Sequence, residues 1–192
     1  MANSPTNVSQ AKPAIGGSVS YGALSVTLPT DATTALAAGF KNVGYITTDG
    51  VVNSRSMDSS TTKAWGGDTV ITTTSPSNET FKFTLMEVLN PDVLKLVHGD
   101  ANVTGVLDTG ITVKTNSDTL EDRAFVIDMI LKGGVLKRIV IPHGTITAID
   151  DVTYKDDTPI GYGVTITATP DDSGVTKYEY IQKKTAAAEG EK

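Results

Sequence analysis

Residues 124–141, AFVIDMILKGGVLKRIVI, contain two apolar runs, Ala124–Leu131 and Val135–Ile141, on either side of Gly133-Gly134. Runs rich in β-branched residues favour strands, and a glycine pair allows a tight turn between them. The pattern therefore predicts a β-hairpin. Both faces of the first run are mostly apolar, with Asp128 as an interruption, so we expect the hairpin to be buried on both sides. Its second side could be covered by the same chain or by another subunit.

Threonine marks much of the remaining chain, with 29 of the 192 residues. This β-branched residue suits the half-buried surface of a sheet. Apolar and polar residues alternate in Phe81–Leu85, Ile111–Lys114 and Val164–Thr169, which is typical of strands with one buried face. Further strands are predicted over the following ranges: Lys41–Thr47, Val70–Thr74 and Thr176–Gln182. Short strands separated by glycine and proline indicate an all-β protein, a sandwich or a barrel.

One flanking α-helix is predicted around residues 90–98. Asn90 can cap its start, Pro91 suits its first position and Gly99 can end it. Apolar residues at helical spacing are expected to dock the helix on its own sheet: Leu89, Val93, Leu96 and Val97. A second, short helical turn is expected within residues 30–40, TDATTALAAGF.

The polar ends of the chain suggest its domain organisation. We expect a flexible N-terminal arm over residues 1–12, one β domain over residues 13–184, and a disordered tail over residues 185–192. Within the domain, the polar segment Asn53–Gly67 is predicted to be a long loop, and such loops are usually functional or disordered. Its Trp65 is either an interface anchor or a core residue of its own subunit.

The composition argues against several classes of function. The chain has no cysteine and two histidines, which excludes thiolate chemistry and leaves little material for histidine catalysis. Asp100–Asp108 begins like a calcium loop, but Ile111 stands where a bidentate glutamate is needed. We therefore predict no catalytic residues, no metal site and no cofactor, and hence no enzyme. No secretory signal or membrane-spanning segment is visible, so we expect no membrane partner.

Several motifs occur together in a characteristic order. They are TDATTAL at Thr30–Leu36, VGYITTDGV at Val43–Val51, AWGGD at Ala64–Asp68, ETFKFTLME at Glu79–Glu87 and the helix segment Asn90–Gly99. In order and spacing the chain resembles the major tail tube proteins of long-tailed (siphovirus-type) phages. The resemblance is strongest over residues 28–99.

The resemblance implies a β-sandwich or barrel subunit that forms hexameric rings, which stack into a tube for DNA ejection. The protein would then be a structural component of the virion tail, assembled in the host cytoplasm. Its partners would be further copies of itself, the tape-measure, tail-terminator and tail-tip proteins, and double-stranded DNA in transit. By this analogy the segment 53–67 reaches the neighbouring ring through these residues: Asn53, Arg55, Asp58, Lys63 and Trp65.

The charge of the chain agrees with such a conduit. The formal net charge is −6, and each phosphate that a cation neutralises would strengthen DNA binding and slow its passage. Asp128 and Glu179 are the candidates for acids that face the bore.

Two other interpretations stay open. The chain could form the tube of a related injection machine, such as a secretion system or a phage-tail-like bacteriocin. Alternatively, its threonine-rich strands could belong to a carbohydrate-binding or adhesin-like β-sandwich, although the aromatic platform typical of such proteins is not evident.

Overall fold

The structure is a computed structural model that describes residues 3–75 and 78–183. It is mostly antiparallel β-strand, with one α-helix in the described part, α1 (Pro91–His98). The strands are β1 (Ala11–Pro13), β2 (Val19–Ala23), β3 (Lys41–Asn42), β4 (Val52–Ser56), β5 (Ser59–Lys63), β6 (Thr69–Thr74), β7 (Asn78–Leu85), β8 (Val103–Val106), β9 (Gly110–Val113), β10 (Arg123–Leu131), β11 (Val135–Ile149), β12 (Tyr162–Thr169) and β13 (Tyr178–Lys183). The predicted all-β class with a single flanking helix is confirmed.

The predicted hairpin at residues 124–141 is the centre of the main sheet. β10 pairs with β11, and Phe125 faces Ile141 while Ile127 faces Ile139. The turn uses positive φ angles of 75° at Gly133 and 74° at Gly134, which favour glycine. β11 continues eight residues beyond its predicted end. Its first half pairs with β13 and its second half with β12.

The main sheet closes on itself into a barrel-like structure. Its strand order is β3-β2-β10-β11-β12-β7-β4, with β1 added beside β10 and β13 beside β11. The chain after β3 joins the two sides, because the Val43 amide donates to the Val19 carbonyl (3.1 Å) and the Thr47 amide donates to the Thr84 carbonyl (3.0 Å). The predicted strand Lys41–Thr47 therefore bridges two strands rather than pairing with one along its length.

The core lies inside this closed sheet. It is formed by apolar side chains from β2, β7, β10, β11, β12 and α1, among them Tyr21, Phe81, Phe83, Phe125, Ile141 and Ile166. α1 contributes Val93, Leu96 and Val97, whereas Leu89 is 63% exposed and does not dock the helix as expected. The side chain of Asn90 caps α1 by accepting from the Asp92 amide (3.0 Å).

The second side of the central hairpin is covered, near its middle, by the same chain. Arg138 is 6% exposed; its guanidinium pairs with the Asp128 carboxylate (2.6 Å) and donates to the carbonyls of Asp31 (3.0 Å) and Thr34 (2.8 Å). The segment 30–40 supplies this cover without forming the expected helical turn. The Asp31 carboxylate instead accepts from the amide of Thr33 (2.6 Å), holding a bend in the backbone.

The two ends of the barrel-like sheet are different. β7 begins at Asn78, next to Ser56 of β4 and the exposed segment that follows it, and we call this the arm end. β7 ends at Leu85, which pairs with Tyr162, and the chain then enters α1; we call this the helix end. The two ends therefore present unrelated surfaces.

The flexible arm over residues 1–12 stays a prediction, and the end of this range joins the main sheet. Ala11 and Lys12 belong to β1, where they pair with Leu131 and Ile130 of β10. The Lys132 amide also donates to the Ser9 hydroxyl (2.7 Å). The predicted tail, residues 185–192, lies outside the described residues.

Candidate assembly surfaces

The segment predicted as a long loop is mostly β-structure. β5 and β6 form a hairpin whose register runs from Ser59 opposite Thr74 to Lys63 opposite Thr69. Its base is held by the Ser75 amide, which donates to the Asp58 carbonyl (2.7 Å). We call residues 58–75 the hairpin arm. Five residues of paired strand give it a length of about 17 Å, before the tip turn is added.

Among the described strands, β5 and β6 of the hairpin arm pair only with each other. Every residue from 52 to 75 is exposed, so both faces of the hairpin meet solvent. Isolated two-stranded hairpins are marginally stable in water. Its apolar side chains are also exposed: Trp65 fully, Val70 by 62% and Ile71 by 58%. An arm of this kind suits contact with a partner.

The five residues predicted for ring stacking fall into two groups. Asn53 and Arg55 belong to β4, an edge strand of the main sheet, where they pair with Phe81 and Glu79 of β7. The remaining three lie on the hairpin arm: Asp58 at its base, Lys63 at the end of β5 and Trp65 in the tip turn. The alternative interpretation of Trp65 as a core residue is wrong, because its side chain is fully exposed. Its role in stacking stays a prediction.

Asn53 belongs to a polar cluster at the arm end of the core. Its amide nitrogen donates to the Glu79 carboxylate (3.1 Å), which also accepts from Thr176 (2.8 Å) and pairs with Lys177 (2.7 Å). Glu79 is 3% exposed. Burial alone would raise the pKa of its carboxyl, but these hydrogen bonds and the charge of Lys177 outweigh burial and hold that pKa below its usual value.

The two candidate bore acids lie on opposite faces of the sheet. Asp128 faces Arg138, on the side covered by residues 30–40, whereas Glu179 faces Ile139, on the side of the core. Each is paired with cations: Asp128 with Arg138, and Glu179 with Lys137 (2.8 Å) and Lys177 (3.0 Å). One face of this sheet cannot present both acids, and the bore-facing role of each stays a prediction.

In the described part of the chain, four strands of the main sheet pair on one side only: β1, β3, β4 and β13. β4 and β13 are the longest of the four. β4 pairs on one side with β7, and β13 pairs on one side with β11. Exposed edges carry unpaired amide and carbonyl groups that can extend a sheet into a neighbouring molecule.

The helix end carries an apolar groove that the sequence did not reveal. We define the helix-end groove by Val97, His98, Leu120, Ile149 and Tyr162, which line a cavity of about 580 Å³. The rings of His98 and Tyr162 meet edge to face, with centroids 5.7 Å apart. Burial lowers the pKa of His98 below its ordinary value, which favours the neutral imidazole.

Across residues 3–75 and 78–183, no group of three or more histidines and carboxylates is placed to hold a metal ion. Within the same ranges no helix is both long and apolar enough to cross a membrane.

A closed all-β subunit with an exposed hairpin arm and free sheet edges defines a class: a structural protein that offers surfaces for contact with other proteins. The comparison with known families gives the particular one. The chain belongs to the family described as phage tail tube protein, whose family model matches residues 1–191. It is thus a structural component of the phage tail. No curated protein matches the sequence significantly.

Proposed function

We propose that this protein assembles with its own copies into hexameric rings, and that the rings stack into the tail tube of a long-tailed phage. DNA leaves the particle through this tube. The observation that carries the proposal is the hairpin arm: a β-hairpin with both faces exposed and Trp65 at its tip has little support within its own subunit. A neighbouring ring would supply that support.

Contacts within a ring are proposed to use the free sheet edges. β4 and β13 lie at separate edges of the main sheet and could extend it into the neighbouring subunits. Edge pairing would satisfy the exposed backbone groups and make the wall of the tube from continuous sheet. It would also leave the hairpin arm free to reach along the tube.

The proposed conduit must let DNA pass without holding it. The formal net charge of −6 gives each subunit more acid than base, which weakens counterion-release binding to phosphates. We propose no catalytic role. The tape-measure, tail-terminator and tail-tip proteins are the proposed partners, and assembly is proposed to take place in the bacterial cytoplasm.

Sedimentation velocity and negative-stain electron microscopy of the purified protein test the proposal. With rising concentration we expect rings or hollow tubes to replace the subunit above a critical concentration. A gel-shift titration of the same tubes with double-stranded DNA should detect no tight complex at physiological salt. A subunit that stays monomeric at every concentration, with and without a preformed tail tip as nucleus, would contradict the proposal.

A further inference from the structure

We propose that the helix-end groove receives the tip of the hairpin arm from the next copy of this chain, and that Trp65 fills it. The inference rests on the proposed stacking and adds the receptor for the hairpin arm. The other possible occupants, a lateral neighbour or another tail protein, are outcomes that the test below distinguishes.

The positions of the hairpin arm and the groove favour this match. The hairpin arm starts beside the Ser56–Asn78 pair at the arm end, whereas the groove lies beside the Leu85–Tyr162 pair at the helix end. A subunit therefore carries a projection at one end and a recess at the other. Contacts of this head-to-tail kind use two different surfaces and repeat without closing, which is what stacked rings require.

The groove also fits an indole in size and chemistry. A tryptophan buries about 150–250 Å² on docking, and a cavity of about 580 Å³ can hold its side chain. The edge-to-face pair of His98 and Tyr162 gives the groove an aromatic wall, and aromatic rings favour such offset or perpendicular packing. Because partial burial favours the neutral form of His98, this wall of the groove suits an apolar ring such as indole.

Polar groups that line the groove suit the rest of the tip. Asn116 and Asp118 line it and offer acceptor oxygens to the indole N–H of Trp65, which needs a partner when buried. Asp118 is the carboxylate among the lining residues, and Lys63 stands two residues before Trp65, so their opposite charges are complementary. Asp68, the acidic residue near the tip, follows the turn, whereas Lys63 precedes it.

Disulfide trapping tests the contact directly, because the chain contains no cysteine. The test variant carries Ala64→Cys at the tip and Thr119→Cys in the groove. The matched control carries Ala64→Cys with Lys132→Cys, an exposed residue in the hairpin turn at the arm end. After mild oxidation of assembled protein, we expect the test variant to give a ladder extending beyond six chains on a non-reducing gel, and the control to give none. Contacts between rings repeat without closing, so a ladder that stops at about six chains would instead indicate a lateral neighbour in the ring and overturn the inference. Assembled tubes of the test variant that give no ladder would leave the groove to another tail protein and overturn it as well.

The wild-type chain gives a second readout, since Trp65 is its single tryptophan. Its emission should shift to shorter wavelength, and its quenching by iodide should fall, when subunits become tubes. Ile149→Glu, in the groove, should raise the critical concentration about tenfold or more. Leu24→Glu, at a residue of the same 43% exposure outside the groove, should leave it unchanged.

The outcomes separate this inference from the proposed function. Tubes in which Trp65 stays as exposed as in the subunit would overturn the inference and leave the proposed function intact. Equal cross-linking of the control and the test variant would also overturn the inference alone. So would an Ile149→Glu protein that forms tubes at the wild-type critical concentration. Failure of the wild type to form tubes would refute the proposed function and this inference with it.

Discussion

Replacing Trp65 by alanine should weaken assembly without weakening the fold. The side chain is fully exposed in the subunit, so its removal should change the free energy of unfolding by no more than about 0.5 kcal/mol. In the assembled tube the indole would bury about 150–250 Å². At about 25 cal/mol per Å² this corresponds to a gross gain of about 4–6 kcal/mol per subunit. Tryptophan hot spots at interfaces typically lose 2 kcal/mol or more on truncation, about a 30-fold change in an equilibrium constant.

The critical concentration for tube formation measures this effect. We expect Trp65→Ala to raise it about 30-fold in pelleting and light-scattering assays, with an unchanged thermal transition of the subunit. Tyr45→Ala is the matched control, because Tyr45 is an aromatic residue that is 78% exposed but lies outside the hairpin arm. A Trp65→Ala protein that assembles at the wild-type concentration would refute the reasoning, and so would a Tyr45→Ala protein with an equal defect.

Three further predictions concern the subunit itself. Asp128→Ala leaves the buried Arg138 guanidinium without its carboxylate and should destabilise the fold by about 3 kcal/mol, measured by denaturant unfolding; an unchanged midpoint would show that the ion pair contributes nothing. Folding lowers the pKa of the Glu79 carboxyl from its ordinary value of 4.5. The ionised carboxylate therefore contributes its full share of the free energy of unfolding above pH 4.5, and this share is lost as the pH falls below that value. In thermal melts recorded at a series of acidic pH values, Glu79→Gln should lose less stability than the wild type as the pH falls. The same pH dependence in both proteins would contradict a lowered Glu79 pKa. Asn90→Ala removes the cap of α1 and should cost about 1 kcal/mol, whereas the exposed neighbour Leu89→Ala should cost less; equal losses would argue against the cap.

The sequence predicts those elements whose determining residues lie close together along the chain. The hairpin at residues 124–141 carries two apolar runs and a glycine turn, and α1 carries both a cap and a proline at its first position. The part of β11 beyond Ile141 is not predicted from the sequence, for two reasons. Pro142 interrupts the strand pattern, and a register shift between Ile146 and Ala148 disrupts the alternation of apolar residues.

The hairpin arm was predicted as a loop because its strands have no buried face. Ser59–Lys63 reads SSTTK, and without a buried side there is no alternation of apolar and polar residues to detect. In residues 30–40 helix-compatible residues were outweighed by the side chain of Asp31, which bonds to the following backbone amides.

The surfaces with functional interest depend on contacts between distant parts of the chain. Glu79 meets Thr176, 97 residues away, and the helix-end groove gathers residues from α1, β11, β12 and the segment after β9. No spacing rule links such positions. The exposed Trp65 is different, because a lone tryptophan in a polar segment was already a candidate for an interface.

A cryo-electron microscopy reconstruction of the assembled protein tests the central claim most directly. The account predicts a hollow tube of six-subunit rings in which every hairpin arm contacts the adjacent ring. A closed oligomer with no axial channel would contradict it, as would stacked rings whose hairpin arms project into solvent.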